Sequence, residues 1–546
     1  MRNTLLLLLA LVMASLTFAQ PSPTTFSNPI LPGFNADPSI CRVGDTYYMT
    51  HSTFEYFPAL PILKSKDLVN WEKIGHAIHR PEQVNFPDGL DNSNGMFAPS
   101  IRYHDGTFYL ICTCVGCGGN FIVTATDPAG PWSDPRWIKG AVGIDPTLFW
   151  EDDGRCYYLG AGHVTGGRKE WPGQNGVYMQ EIDLTQGKLL GEPIQLTHGH
   201  AANARWTEGP RLFKIDGEYL LVAAEGGTSE YHAVTVFNSK NLLGPYIPNH
   251  ANPVMTHRHL GYSYPFIQTG HADLVQTPEG EWWSVLHAKR PVEGYSLLCR
   301  ETFLAKVEMI QQESGITPRY NPGIGLLQAE QARPNLPWTP NPDRPIRDEF
   351  DAEDLNLEWL CLRSPQSDWH RVAKGNLALQ LRPEVIDSLV NPSFWAQRLP
   401  YLNFSATTKL SFNPQKENEQ AGLVLYRKSS AHFQLLKEKG KVTLIKTASL
   451  KQTGIESKKE IVASLPYIGK ELYLRVVGKG LDLQFFVGEN LDELQPIGGV
   501  QDFAILSDEV AGRFNGTLLG LYATSNGADS QENAYFDWFE LEEIQP

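Results

Sequence analysis

A chain of 546 residues exceeds the size at which one hydrophobic core keeps growing, so at least two domains are expected. With 42% apolar and 20% charged residues it is not a disordered chain, and a net charge of −15 with no long basic run excludes nucleic acid as a natural partner. Its 11% aromatic content suits sugar stacking and β cores equally and decides nothing.

The first element in chain order is an N-terminal targeting signal. Arg2 precedes the apolar run from Leu5 to Ala14, and Thr17-Phe18-Ala19 ends in a small residue before Gln20. This pattern predicts a signal peptide over residues 1–19, with export to the periplasm or the cell exterior. The run is too short for a membrane span, and no later segment reaches 18 uninterrupted apolar residues. The seven cysteines are too few for a disulfide scaffold. Cys112, Cys114 and Cys117 cluster as a local disulfide or as buried thiols, and no second pair stands ready for zinc.

From residue 20 to 315 one short pattern recurs five times, a turn signal followed by a β-forming run. It reads Gly44-Asp45-Thr46-Tyr47-Tyr48, Asp105-Gly106-Thr107-Phe108-Tyr109, Asp153-Gly154-Arg155-Cys156-Tyr157, Asp216-Gly217-Glu218-Tyr219-Leu220 and Glu279-Gly280-Glu281-Trp282-Trp283. Successive copies are 61, 48, 63 and 63 residues apart. Each turn joins this run to a preceding short strand, beginning near Ser39, Ser100, Thr147, Arg211 and Leu274. Short strands at this period describe the blades of a β-propeller, here five. Residues 316–346 carry most of a proline-rich stretch and read as an extended linker. From 347 to 546, alternating runs such as Gly422–Tyr426, Leu472–Val476 and Leu481–Phe485 predict an antiparallel β-sandwich. The expected fold is therefore all-β, a five-bladed propeller followed by a C-terminal sandwich.

The residues just before each blade's first strand are chemically distinctive. They are Asp37-Pro38, Phe97-Ala98-Pro99, Asp145-Pro146, Glu208-Gly209-Pro210 and His271-Ala272-Asp273. In a propeller the innermost strands surround the axis, so Asp37, Asp145, Glu208 and His271 would converge at one end of the channel. Glycosidic cleavage needs a proton donor for the leaving oxygen and a carboxylate that attacks or activates water. Neighbouring carboxylates push their pKa values apart, which supplies both states at one pH. Arg300 could keep the base ionised. Carboxylates also ring metals, so a calcium site of the same three acids is the structural alternative.

With Asn28-Pro29-Ile30-Leu31-Pro32-Gly33-Phe34-Asn35-Ala36-Asp37-Pro38, Gly143-Ile144-Asp145-Pro146-Thr147, Thr207-Glu208-Gly209-Pro210, Gly270-His271-Ala272-Asp273 and Arg300-Glu301-Thr302-Phe303, the chain resembles glycoside hydrolase family 43. The resemblance implies an exo-acting, inverting enzyme that releases terminal β-D-xylosyl or α-L-arabinofuranosyl units from plant hemicellulose or pectin side chains. It implies Asp37 as general base, Glu208 as general acid and Asp145 as the residue that raises the acid's pKa. Phe54, Phe57, Phe97, His271 and Arg300 are expected around the substrate, and Phe514 as an intruder from the sandwich. No cofactor is required, though a calcium ion beside His271 is compatible with the resemblance. An oligosaccharide or polysaccharide is the expected partner. Phe97 and Cys299 stand where the family usually has Trp and Gly, which bears on sugar preference rather than on proton transfer. An endo-acting arabinanase and a catalytically inert sugar-binding propeller are the alternatives.

Overall fold

The computed structural model describes residues 22–545 except 165–167, 343–344, 374, 451–454 and 513. The signal peptide expected over residues 1–19 lies outside the described residues. Five antiparallel sheets follow one another from residue 39 to 320, each formed by one continuous stretch of chain. Blade one runs Ser39–Val43, Thr46–Thr50, Ala59–Ser65 and Glu72–Ile78. The first strands of the later blades are Ser100–His104, Ile144–Trp150, Glu208–Ile215 and Ile267–Gln276. These five inner strands touch in sequence, and the fifth touches the first, so the ring closes. The recurrent turns drive this plan. Asp105-Gly106 and Asp216-Gly217 have positive φ at both residues (45° and 78°, 49° and 81°), the backbone that matches the twist of a two-residue hairpin.

The N-terminal segment fastens the ring from outside rather than completing a blade. Thr25–Ser27 pairs with Glu330–Ala332, and the Asn28 side chain exchanges two 2.9 Å hydrogen bonds with the backbone of Leu304 in blade five. The outer strand of blade five is Gly315–Tyr320, so the propeller extends past the boundary expected at 315. Pro318 sits in that strand because the strand is a sheet edge, where a missing N–H costs no ladder bond.

The second domain is a sandwich of an eight-stranded and a six-stranded antiparallel sheet. Its strands alternate as the sequence suggests. In Glu471–Lys479, Leu472, Leu474 and Val476 are buried in the core while their neighbours face outward. The two domains are joined by more than the linker. Tyr56–Phe57 of the propeller pairs with Cys361–Leu362, and the buried Arg363 guanidinium donates to the carbonyls of Leu90 and Val390. One apolar cluster runs from Leu60 and Ile101 in the propeller to Leu423 and Phe536 in the sandwich. Among the described residues no helix is long and apolar enough to cross a membrane.

Candidate active site

In four of the five blades a residue in the left-handed region stands just before or within the inner strand: Asp37 (φ 55°), Asp145 (55°), Gly209 (58°) and His271 (52°). The first three immediately precede a proline, which disfavours the right-handed helical conformation. The repeat therefore aligns Asp37, Asp145, Gly209 and His271, and Glu208 stands one residue upstream of the equivalent place. The sequence reading had put Glu208 itself in register. The shift has a steric reason. A Cβ on Gly209 would lie 2.8 Å from His271 Nε2, so the imidazole occupies the space a side chain there would need. Asp273, two residues beyond His271, belongs to a deeper layer of the channel. It bonds Arg102 (3.0 Å), Arg211 (3.2 Å) and the Ser39 hydroxyl (2.9 Å), and it does not line the cavity.

Asp37 is buried and clamped through both oxygens. Arg300 Nη1 donates to Oδ1 at 2.6 Å, and Ser52 Oγ donates to Oδ2 at 2.6 Å. The Nδ1 atoms of His287 and His271 lie 3.2 and 3.4 Å from Oδ1. Burial alone would raise the Asp37 pKa, but the Arg300 charge, followed by His271, holds it well below the usual carboxylate range. Asp145 and Glu208 experience the opposite balance. Burial and then the Asp37 charge push Asp145 up, against Arg211 and the Gly209 amide that donates to its Oδ2 at 3.2 Å. Burial, then Asp145 and Asp37, push Glu208 well above its ordinary value, and only Arg300 opposes them. One carboxylate is thus kept ionised while another is kept protonated.

These groups line a cavity of about 350 Å³, with His271 and Arg300 also in its wall. Phe54, Phe97 and Phe514 form an aromatic wall in which Phe514 stacks on Phe54 (5.9 Å between centroids) and meets Phe97 edge-on (6.2 Å). Arg300 lies over the rings of Phe54 and Phe514 at 5.7 and 5.5 Å. Phe514 reaches the cavity from the sandwich because its loop is fastened to the propeller. Asp508 pairs with Lys289, Glu509 accepts from Ser296 N and Oγ (2.7 and 2.9 Å), and Asn515 donates to buried Glu55 (2.7 Å). The Phe514 carbonyl accepts from Cys299 Sγ at 3.2 Å and from Arg300 Nη2 at 3.4 Å. Cys299 has φ 64°, a conformation that favours glycine, so the departure noted in the sequence carries backbone strain and supplies one bond to the loop.

Phe57 is a correction. It lies at the domain junction, paired with Cys361 and buried in the shared core, not in the cavity. Pairing with Cys361 carries Phe57 into the junction, while Phe54, bridged to Met96, lines the cavity. The calcium expectation also meets a poor donor set. His271 Nδ1 faces Asp37, its Nε2 has no protein partner, and among the described residues no three His, Cys, Asp or Glu side chains are grouped to hold a metal. A hard cation wanting six to eight oxygens finds no cage there. Cys114 and Cys117 form a disulfide and Cys112 is a buried thiol.

Sequence reasoning missed Trp206, Ser52 and His287. Trp206 lines the cavity and remains 38% exposed, held against Gly227, where a Cβ would come within 2.9 Å of its ring. A large aromatic two residues before the acid was an available signal. Ser52 is brought to Asp37 by the hairpin of blade one, and His287, on blade five, only by the closed ring.

Comparison with known proteins agrees with this geometry. Residues 26–313 match Glycosyl hydrolases family 43, and residues 347–542 match the Beta xylosidase C-terminal Concanavalin A-like domain. The chain is similar to a xylosidase/arabinosidase of Butyrivibrio fibrisolvens, 39% identical over 95% of this chain and 99% of that protein. It is also similar to a non-reducing end alpha-L-arabinofuranosidase of Bacteroides ovatus, 37% identical over 98% of each. The solved structure of a xylan beta-1,4-xylosidase from Bacillus halodurans superposes with a TM-score of 0.86 at 34% identity, over 95% of this chain and 100% of that one. The domain matches over residues 26–313 and 347–542, together with a cavity whose carboxylates have pKa values pushed in opposite directions, place the chain in glycosyl hydrolase family 43, and it is a glycoside hydrolase.

Proposed function

We propose that the protein removes single β-D-xylosyl or α-L-arabinofuranosyl units from the non-reducing ends of plant-wall oligosaccharides, with inversion. Asp37 takes a proton from a water molecule whose oxygen attacks the anomeric carbon. Glu208 gives its proton to the departing glycosidic oxygen, and Asp145 keeps Glu208 protonated until that moment. The observation that carries this reading is the opposed pKa shifts of Asp37 and Glu208 across one cavity. Exo action is supported by Phe514, which narrows the cavity from the sandwich side, whereas an endo-acting arabinanase needs an open cleft. The names of the relatives support the pentose class. The intact set of acids opposes an inert binding propeller. No step calls for a cofactor, and the Arg2 to Ala19 pattern supports export.

Glu208→Gln tests the assignment. Turnover of natural pentosyl oligosaccharides is expected to fall about 10²- to 10⁴-fold, the usual worth of general acid catalysis. Aryl glycosides whose leaving group needs no proton are expected to lose much less. Wild-type turnover of the oligosaccharides by this variant would remove Glu208 from the role of acid. Sugar analysis of products from xylo-oligosaccharides and arabinan separates the two pentoses.

A further inference from the structure

We infer that His287, which no part of the proposed acid–base pair requires, is a positioning residue that fixes the backbone of Asp37 through its Nδ1 lone pair. The inference rests on the reading of Asp37 as the base.

Asp37 is a non-glycine residue at φ 55°, a strained conformation that persists only where its surroundings over-determine it. Its amide N–H is buried and points at His287 Nδ1, 3.1 Å away. A buried N–H must find an acceptor, and here the acceptor is a side chain. As an acceptor Nδ1 carries no hydrogen, which leaves the ring neutral with its proton on Nε2, a buried atom without a partner among the described residues. Burial agrees, since it depresses the His287 pKa to about 4 even with Asp37 beside it. The same Nδ1 lies 3.2 Å from Asp37 Oδ1, so the imidazole touches both the main chain and the carboxylate of one residue.

The ring itself is fixed. His287 is 0% exposed, lies on the strand Trp282–Lys289, stacks on His232 at 4.9 Å and packs against His271 at 5.8 Å. Gly270 makes room for this packing, because a Cβ there would meet the His232 ring at 2.5 Å. His287 also belongs to a larger strap. Asn35 N donates to Arg300 O at 2.9 Å, and Thr302 Oγ1 donates to Asn35 O at 2.6 Å. Blade five therefore holds residues 35–37 of blade one at three points across the seam where the ring closes. Arg300 and Ser52 aim the carboxylate, and His287 aims the backbone from which it hangs.

The test separates Nδ1 acceptance from packing. The Asn side-chain oxygen can take the place of Nδ1, whereas Gln places its amide where Nε2 stood and Leu offers no acceptor. For His287→Leu and His287→Gln, kcat on a pentosyl aryl glycoside is expected to fall about 10- to 100-fold with KM nearly unchanged, as a misplaced catalytic group produces. For His287→Asn, kcat is expected to stay within about threefold of wild type, a difference under 1 kcal/mol. Thermal melting of all three reports on the seam independently. If His287→Leu does not fold, the Asn and Gln pair decides alone. Wild-type kcat in His287→Leu or His287→Gln, or equal loss in Asn and Gln variants, overturns the inference. Asp37→Asn, assayed alongside, must itself be nearly inactive; if it turns over normally, the reading of Asp37 as base has failed instead.

Discussion

Arg300→Met removes the cation that holds Asp37 ionised while keeping an unbranched side chain of similar reach. The guanidinium sits 2.6 Å from Oδ1, with both groups buried (3% and 4% exposed). At an effective dielectric near 20, unit charges about 4 Å apart interact by about 4 kcal/mol, or roughly 3 pKa units at 1.36 kcal/mol each. His271 and Ser52 retain part of the stabilisation, so the Asp37 pKa is expected to rise by less than this. The base works only when ionised, so activity is lost as pH falls through that pKa. The acid limb of kcat/KM against pH must therefore move upward, and the variant must lose activity at acidic pH where wild type keeps it. Stability follows the same sign. The depressed pKa of Asp37 stabilises wild type above the unfolded value of about 3.9 and ceases to do so as pH falls through the folded value. In the variant, a buried carboxylate without its partner costs about 3–5 kcal/mol at neutral pH. The assay is initial-rate kinetics on a pentosyl aryl glycoside from pH 4 to 9, with urea unfolding alongside. An acid limb that stays in place in a folded variant would refute the claim that Arg300 sets the ionisation of Asp37.

Asp273→Asn should show the opposite division of effects. Arg102 and buried Arg211 lose their shared carboxylate, so stability at pH 7 is expected to fall by about 3–5 kcal/mol while the pH profile of kcat/KM keeps its shape. Asp273 has a depressed pKa despite burial, because Arg102 and Arg211 outweigh it, so the stability gap should shrink as pH falls toward that pKa; urea melts at several pH values check this. Phe514→Ala removes a ring that stacks on Phe54 and covers Arg300, and it is 37% exposed, so folding should be little changed. KM is expected to rise about 2- to 10-fold, the worth of one aromatic contact at roughly 0.5–1.5 kcal/mol, measured by steady-state kinetics on a pentosyl disaccharide.

Much of the molecule was legible in the chain because its signals are local. A glycine with positive φ beside an acidic residue marks each of the five hairpin turns, three of two residues and two of five, and their spacing implies a ring of blades. The ring in turn implies that Asp37, Asp145, Glu208 and His271 meet. What local signals could not carry is anything decided across the closing seam or between the domains. Ser52 reaches Asp37 through the hairpin of blade one, whereas His287 has ordinary neighbours in sequence and becomes a partner of Asp37 only when blade five packs against blade one. Phe54 and Phe57 look alike in the chain, yet pairing with Cys361 of the sandwich takes Phe57 into the junction and leaves Phe54 in the cavity. Glu208 stands one residue upstream because the His271 ring, 62 positions from Gly209, fills the space a side chain at 209 would need. Backbone conformation is set by near neighbours and is written in the sequence, whereas excluded volume and charge act through space and exist only once the chain has folded.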